Sequence, residues 1–180
     1  MLFRSALDAQ LARVPNSSIF HLFKAGLLAD QKKLPEAEQE AQRAADLDSN
    51  NLTAVMLLAQ LQIQQGQAEK ALATYEQNAK AHPGDMRVAT LLAAMYDTMG
   101  NIPKAMELYR KVLAAQPDNP LAANNLAYAM LEAGENPDVA LSLAQKARQA
   151  LPEAPTTADT LAWAYYAKGA YRSEIGRAHV

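Results

Sequence analysis

The chain has 180 residues, of which 50% are hydrophobic and 20% charged, and this balance excludes an intrinsically disordered protein. Seventeen basic and nineteen acidic residues give a net charge of −2 without a cationic run, which excludes extended contact with nucleic-acid phosphates. The absence of cysteine excludes a disulfide scaffold and a thiolate metal site.

Residues 1–17 lack the uninterrupted apolar core of a secretory signal, and no stretch of the chain has the roughly 20 apolar residues that a membrane span needs. Pro15 precedes Ser49 by the same interval that separates Ser49 from Pro83. We therefore expect residues 1–17 to form the second helix of a preceding, partial repeat. The chain as written is expected in the cytoplasm, or in the periplasm or envelope if an amino-terminal signal is missing from it.

The same interval organises the rest of the chain as a period of about 34 residues, a length that is typical of stacked helical repeats. One period on from Ala71, Tyr75 and Pro83, the sequence again has an Ala, a Tyr and a Pro. Four glycines follow this spacing, with one extra residue before the last of them: Gly66, Gly100, Gly134 and Gly169.

This frame predicts helical hairpins at residues 18–51, 52–85, 86–119 and 120–154, followed by the first helix of a truncated fifth unit at 155–173. Apolar residues recur at helical spacing and no segment alternates with period two, so the predicted fold class is all-α. Small residues recur where the helices of a hairpin must approach each other. They are Ala25, Ala59, Ala93, Ala127 and Ala162 in first helices, and Ala37, Ala71, Ala105 and Ala140 in second helices.

These units resemble the tetratricopeptide repeat. In the third unit the resemblance rests on Leu92, Ala93, Tyr96, Gly100, Ala105, Tyr109, Val112 and Pro117. It implies a right-handed α-solenoid of helix–turn–helix units, about four repeats plus partial terminal ones. The first unit departs from the pattern, with Lys32 in place of Gly and Ser49 in place of Pro.

The carboxy-terminal units also resemble the last repeats of long bacterial envelope-associated repeat proteins, some of them linked to exopolysaccharide or PEP-CTERM-type protein-sorting systems. This resemblance rests on the stretches NNLAYAMLEAG, ALSLAQKARQALP and ADTLAWAYYAKGAYR.

Residues 174–180 depart from the repeat frame, since Glu174 stands where an Ala is expected. Their sequence, EIGRAHV, can be read back into codons that resemble the adapter used in common short-read sequencing libraries. We therefore expect residues 174–180 to be a non-native sequencing-adapter tail. The alternative is a natural gene that ends in a frayed tail.

No constellation of residues indicates catalysis. His21, His82 and His179 are far apart in the repeat frame, and no Gly-rich phosphate loop or Cys/His pair is present. We assign His21 and His82 no role, and we interpret Glu36, Glu38 and Glu40 as a solvated helix face. The chain is accordingly predicted to be no enzyme and to bind neither cofactor nor metal.

The family resemblance implies a concave groove lined by first-helix residues outside the core stripe. Asn side chains there can pair with an extended peptide backbone, and aromatic rings supply apolar contact. The predicted groove residues are Gln60, Gln64, Thr90, Asn124, Asn125, Tyr128, Asp159, Trp163 and Tyr166. The same register also includes Met56, Arg87, Asp97 and Leu131.

An alternative is that Trp163 and Tyr166 simply cover the core between repeats. Tyr96, Tyr109 and Tyr165 are expected in the core in either case. No lysine-and-asparagine clamp for a carboxy-terminal carboxylate is evident.

The predicted function is a non-enzymatic protein-interaction scaffold that binds a peptide or a partner helix in the groove. One alternative is a spacer or accessory array of a larger bacterial envelope protein. Another is the regulatory repeat region of an enzyme whose catalytic domain is missing. Protein or peptide is the expected partner, without nucleic acid or a membrane span, and the sequence indicates no oligomeric state.

Overall fold

The computed structural model describes the backbone of residues 2–178 and the side chains of residues 7–169. Over the described backbone the fold is all-α, with ten helices and no strand, as predicted. In this part of the chain, no helix combines the length and the apolar character that crossing a membrane requires. Residues 179 and 180 of the predicted adapter tail lie outside the described residues.

The chain divides into two compact units, Met1–Val88 and Ala89–Val180. The first unit contains α1 (Leu2–Arg13), α2 (Ser18–Asp30), α3 (Leu34–Leu47), α4 (Leu52–Gln64), α5 (Ala68–Ala81) and the start of α6 (Met86–Thr98). The second unit contains the rest of α6 and α7 (Ile102–Ala115), α8 (Pro120–Glu132), α9 (Pro137–Ala150) and α10 (Pro155–Ala178).

Several helices begin where a short polar side chain caps them. The side-chain oxygen of Asn119, for example, accepts a hydrogen bond from the backbone N–H of Ala122 at 3.0 Å. Such a cap satisfies a donor that has no partner inside the helix. Ser17, Asn51, Asn101 and Asn136 cap four other helices in the same way. The helices α2, α4, α6, α8 and α10 begin at the residues that open the predicted units.

Three of the periodic glycines end a helix with a left-handed backbone: φ is 74° at Gly66, 77° at Gly100 and 66° at Gly134. This conformation favours glycine because it has no Cβ. Lys32 occupies the equivalent turn of the first unit with φ 59°, so a bulkier residue adopts the same conformation there. Gly169 instead lies inside α10, which continues to Ala178.

The recurrent alanines hold neighbouring helices close together. Eight of the nine are completely buried: Ala25, Ala37, Ala59, Ala71, Ala93, Ala105, Ala127 and Ala140. In the first unit, Ala25 and Ala37 pack with Leu28, Leu58 and Leu61. A larger side chain at these alanines would force the helices apart.

The predictions for Ala162 and Tyr165 are wrong. Ala162 is exposed, and 54% of Tyr165 is accessible to solvent. The physical reason is that α10 continues through Gly169 instead of ending in a turn. Among the described residues, no second helix therefore folds back to cover these two side chains. Tyr96 and Tyr109, by contrast, are buried as predicted.

Candidate partner-binding site

An open pocket of about 340 Å³ lies in the second unit, where α6, α7, α8 and α10 supply its walls. We call it the second-unit pocket. Its volume is at the lower end of the range typical of ligand sites, which suits one large side chain better than an extended small molecule. Its charged, amide and phenol side chains are Asp97, Tyr109, Asn124, Asn125, Tyr128 and Asp159.

A chain of hydrogen bonds runs along one wall of this pocket. The amide of Asn125 donates from Nδ2 to the hydroxyl oxygen of Tyr109 at 3.2 Å. The amide of Asn124 donates from Nδ2 to Oδ1 of Asn125 at 3.3 Å. Within the described part of the chain, Oδ1 of Asn124 is buried and receives no hydrogen bond. The wall therefore contains an acceptor whose requirement is unmet.

Asn124 is buried, whereas a residue that lines a groove is expected to be exposed to solvent. Only 7% of its surface is accessible, because α8 buries side chains on several faces between its neighbours. Leu131, in the same predicted register, is likewise buried at 8% exposure, so its assignment to the groove is wrong. Asn125 is half-buried and Tyr128 is 40% exposed.

Negative charge dominates the electrostatics of the pocket. Burial, and then the nearby charge of Glu132, raise the pKa of Asp97 above its ordinary value. Burial also raises the pKa of Tyr109 to about 12, and the charge of Asp97 adds to this effect against the opposing hydrogen bond from Asn125. The charge of Glu132, followed by burial, raises the pKa of Tyr128. Both phenols are therefore neutral near pH 7.

An aromatic pair extends from the rim of the pocket. The rings of Tyr128 and Trp163 meet edge to face, with centroids 5.0 Å apart and an interplanar angle of 68°. Trp163 is half-buried, so it combines packing with a partly open edge. Tyr166 is 74% exposed and does not cover a core, contrary to one of the two alternatives for this residue.

The structure thus brings together some of the predicted groove residues and separates others from them. Asn124, Asn125, Tyr128 and Asp159 line one pocket, and Trp163 adjoins it through Tyr128. Thr90, which is half-buried, and Tyr166 do not line it. In the first unit, Gln60 and Gln64 are exposed on α4.

Sequence reasoning missed several polar contributors to the pocket, among them Asp97 and Tyr109. Asp97 was in the predicted register but outside the chosen set, and Tyr109 was assigned to the core. Tyr109 is indeed fully buried, but its hydroxyl group reaches the pocket wall. The signal that could have found it is the polar end of a buried Tyr, which needs a hydrogen-bond partner.

A second polar cluster lies in the first unit. Nδ1 of His21 lies 2.6 Å from Oε2 of Glu40, and its Nε2 lies 2.9 Å from the carbonyl oxygen of Pro15. Both partner atoms are hydrogen-bond acceptors. Nζ of Lys24 is 2.9 Å from the other oxygen of Glu40. These contacts connect α2, α3 and the segment before α2, which is a structural role.

The interpretation of Glu40 as part of a solvated helix face is therefore wrong. Glu40 is 7% exposed because it lies on the side of α3 that also buries Ala37, Ala41 and Ala44. Burial acts to raise its pKa, but hydrogen bonds from Lys24 and His21, with their charges, outweigh burial and leave the pKa below its ordinary value.

Glu38 is also part-buried. Burial acts to raise its pKa, but its contacts with Lys70 and Gln65 outweigh burial and lower the pKa. Glu36 alone of the three carboxylates is exposed. Among the described residues, no group of three or more His, Asp or Glu side chains is arranged to hold a metal ion.

Comparison with known proteins identifies the fold family. A family model described as a tetratricopeptide repeat matches residues 2–51 and 96–155, more than half of the chain, and a second model of that description matches residues 28–95. A tetratricopeptide repeat protein from Parabacteroides merdae is 20% identical, with a TM-score of 0.69 over 86% of this chain and 61% of that chain. YrrB, described as a tetratricopeptide repeat protein with an unusual peptide-binding site, is 14% identical, with a TM-score of 0.62 over 97% of this chain and 98% of that chain.

One curated relative is Surface lipoprotein assembly modifier 1 of Neisseria meningitidis serogroup B, which is 32% identical over 104 residues. The match includes 58% of this chain but spans only 18% of the length of that relative. The solved structures show the fold, and the family models support a protein-interaction scaffold in general. The chain belongs to the tetratricopeptide repeat family.

Proposed function

We propose that the chain is a non-enzymatic scaffold that binds a segment of a partner protein, as a peptide or a helix, at the second-unit pocket and the adjoining pair of Tyr128 and Trp163. The observation that carries this proposal is the combination of an open pocket with an adjoining aromatic pair, in which Tyr128 is exposed and Trp163 is half-buried. Aromatic side chains of this kind provide much of the binding energy in protein interfaces, because they bury a large area with few rotors.

The chemistry of the wall supports a peptide rather than an apolar ligand. Asn125 presents an amide that can exchange hydrogen bonds with a peptide backbone, and Asp159 adds an exposed carboxylate at the rim. The tetratricopeptide fold agrees with this role, since YrrB is described as having a peptide-binding site.

A random-peptide phage library panned against the whole chain tests the proposal. Selected peptides should bind in solution, with saturable changes in Trp163 fluorescence, since Trp163 is the only tryptophan of the chain. Tyr128→Ala should weaken their binding by about tenfold or more, because it removes the exposed ring at the pocket.

Tyr165→Ala is the matched control. Tyr165 is also an exposed tyrosine, but its hydroxyl group pairs with Gln145 and it does not line the pocket. The proposal fails if no peptide is selected, or if both variants bind the selected peptides as well as the parent chain does.

A second candidate is a spacer or accessory array within a larger bacterial envelope protein. The match to a short part of Surface lipoprotein assembly modifier 1 favours it. Long-read sequencing of the parent gene tests this candidate directly. Repeats adjoining an envelope-directed domain would support it, whereas a gene encoding these repeats without such a domain would contradict it.

A further inference from the structure

In the second-unit pocket, several side-chain donor groups already have a partner within the protein. Nδ2 of Asn124 donates to Oδ1 of Asn125, and Nδ2 of Asn125 donates to the hydroxyl oxygen of Tyr109. The hydroxyl groups of Thr98 and Thr160 donate to backbone carbonyls one turn earlier in their helices, at 2.9 Å and 3.0 Å. Four donor groups of this wall are therefore already engaged.

The acceptors that remain are strong. Oδ1 of Asn124 has no donor although the residue is more than nine-tenths buried, and the carboxylates of Asp97 and Asp159 line the same pocket. Glu132 adds negative charge next to Asp97. Among the described residues that line the pocket there is no Lys, Arg or His. An incoming group that brings several donors and a positive charge would satisfy this wall.

We propose that the second-unit pocket binds an arginine side chain of the partner segment, with its guanidinium group at the carboxylates of Asp97 and Asp159. This inference rests on the proposed function and specifies the partner's chemistry. A guanidinium group is planar and has five donors, so it can reach several separated acceptors at once, which a compact ammonium group cannot do.

The aromatic rim favours the same choice. Tyr128 lines the pocket and is 40% exposed, so its ring offers a surface on which a guanidinium plane can stack. Trp163 packs against this ring edge to face. An arginine would therefore find both charge and a flat apolar contact at one place.

The test uses two small probes and the whole chain: Nα-acetylarginine amide and its neutral isostere, Nα-acetylcitrulline amide. Each is titrated at constant ionic strength while NMR follows the side-chain amides of Asn124 and Asn125 and the indole of Trp163. The arginine probe should give saturable shifts and bind at least about tenfold more tightly than the citrulline probe, as expected for a hydrogen-bonded charge.

Asp97→Asn should weaken binding of the arginine probe by about tenfold, because it removes the part-buried charge and keeps the shape of the side chain. Asp118→Asn is the matched control, since Asp118 is exposed and does not line this pocket. Equal binding of the two probes, equal effects of the two substitutions, or no saturable shift with the arginine probe would each overturn the inference.

Failure of this inference can be told apart from failure of the proposed function. Peptides that are selected by panning and depend on Tyr128, but contain no enriched arginine, would leave the scaffold in place and remove the arginine site. Selected peptides whose arginine can be replaced by citrulline without loss of affinity would have the same consequence.

Discussion

Replacing Glu40 by Gln should destabilise the first unit more than any other substitution of a charged side chain in α3. The carboxylate of Glu40 is buried, and it lies 2.6 Å from Nδ1 of His21 and 2.9 Å from Nζ of Lys24. Gln keeps the shape of the side chain but removes the negative charge, so that His21 and Lys24 face a neutral amide.

The size of the effect follows from these two contacts. A hydrogen bond to a charged group is worth about 1.5–3 kcal/mol, and breaking a buried ion pair costs about 3–5 kcal/mol. Lys24 is one-third exposed, which reduces its share, and Gln keeps one acceptor oxygen. We expect a loss of about 3 kcal/mol, equivalent to a fall in Tm of roughly 6–12 °C for a chain of this size.

Urea denaturation followed by far-UV circular dichroism measures the loss. Because the folded-state pKa of Glu40 is lowered, its contribution is fully present above its ordinary value of 4.5 and disappears as the pH falls through the folded-state pKa. The difference between Glu40→Gln and the parent chain should therefore shrink at acidic pH. Glu36→Gln, an exposed control on the same helix, should cost less than about 1 kcal/mol. Equal losses for both variants, or a loss for Glu40→Gln that does not change with pH, would refute this reasoning.

Three further predictions concern stability, and thermal or urea denaturation checks each of them. Asp97→Asn should raise Tm at pH 7. Because the folded-state pKa of Asp97 is raised, its contribution to the free energy of unfolding is present at low pH and is lost as the pH rises. The gain in Tm should therefore vanish at acidic pH, and a lower Tm at pH 7 would contradict this reasoning. Lys32→Gly should stabilise the chain by about 0.5–1 kcal/mol because φ at this residue is 59°, and a decrease would show that the Lys side chain outweighs the backbone strain. Leu58→Ala should cost about 2–5 kcal/mol, since Leu58 is 1% exposed in the core of the first unit; a cost below about 1 kcal/mol would contradict the packing described.

The fold could be predicted largely because a repeat gives the same local information several times. Gly66, Gly100 and Gly134 each mark a left-handed turn, and the alanines at helix contacts are buried in all complete hairpins. Both features depend on one residue and its nearest helical neighbours, which the period reveals. Gly169 shows the limit, since the same residue type at nearly the same spacing lies inside α10.

The candidate site could be predicted only in part, because its features depend on pairs of side chains rather than on periodicity. The register indicated that Asn124, Asn125, Tyr128 and Asp159 belong together, and they do line one pocket. It could not show that Asn124 is buried with an unmet acceptor, since that depends on how the amide of its neighbour is oriented.

The contact between His21 and Glu40 in the first unit was missed for a similar reason. His21 and Glu40 are 19 residues apart. This separation is not a multiple of the repeat period, so the period does not indicate that the two side chains meet. Each residue considered alone fits a helix surface, and only the packing of α2 on α3 brings an imidazole and a carboxylate together away from solvent.

The buried alanines have a consequence for how this sequence can change over evolutionary time. At Ala37, Ala71, Ala105 and Ala140 the methyl group has no accessible surface, so a substitution by any larger residue must displace a whole helix. Exposed positions between them carry no such constraint. If every position is substituted in turn, few substitutions should preserve folding at these alanines, and many should preserve it at the exposed positions between them. Variation would accumulate on the exposed helix faces, and new binding specificities could arise there while the spacing of the helices is preserved.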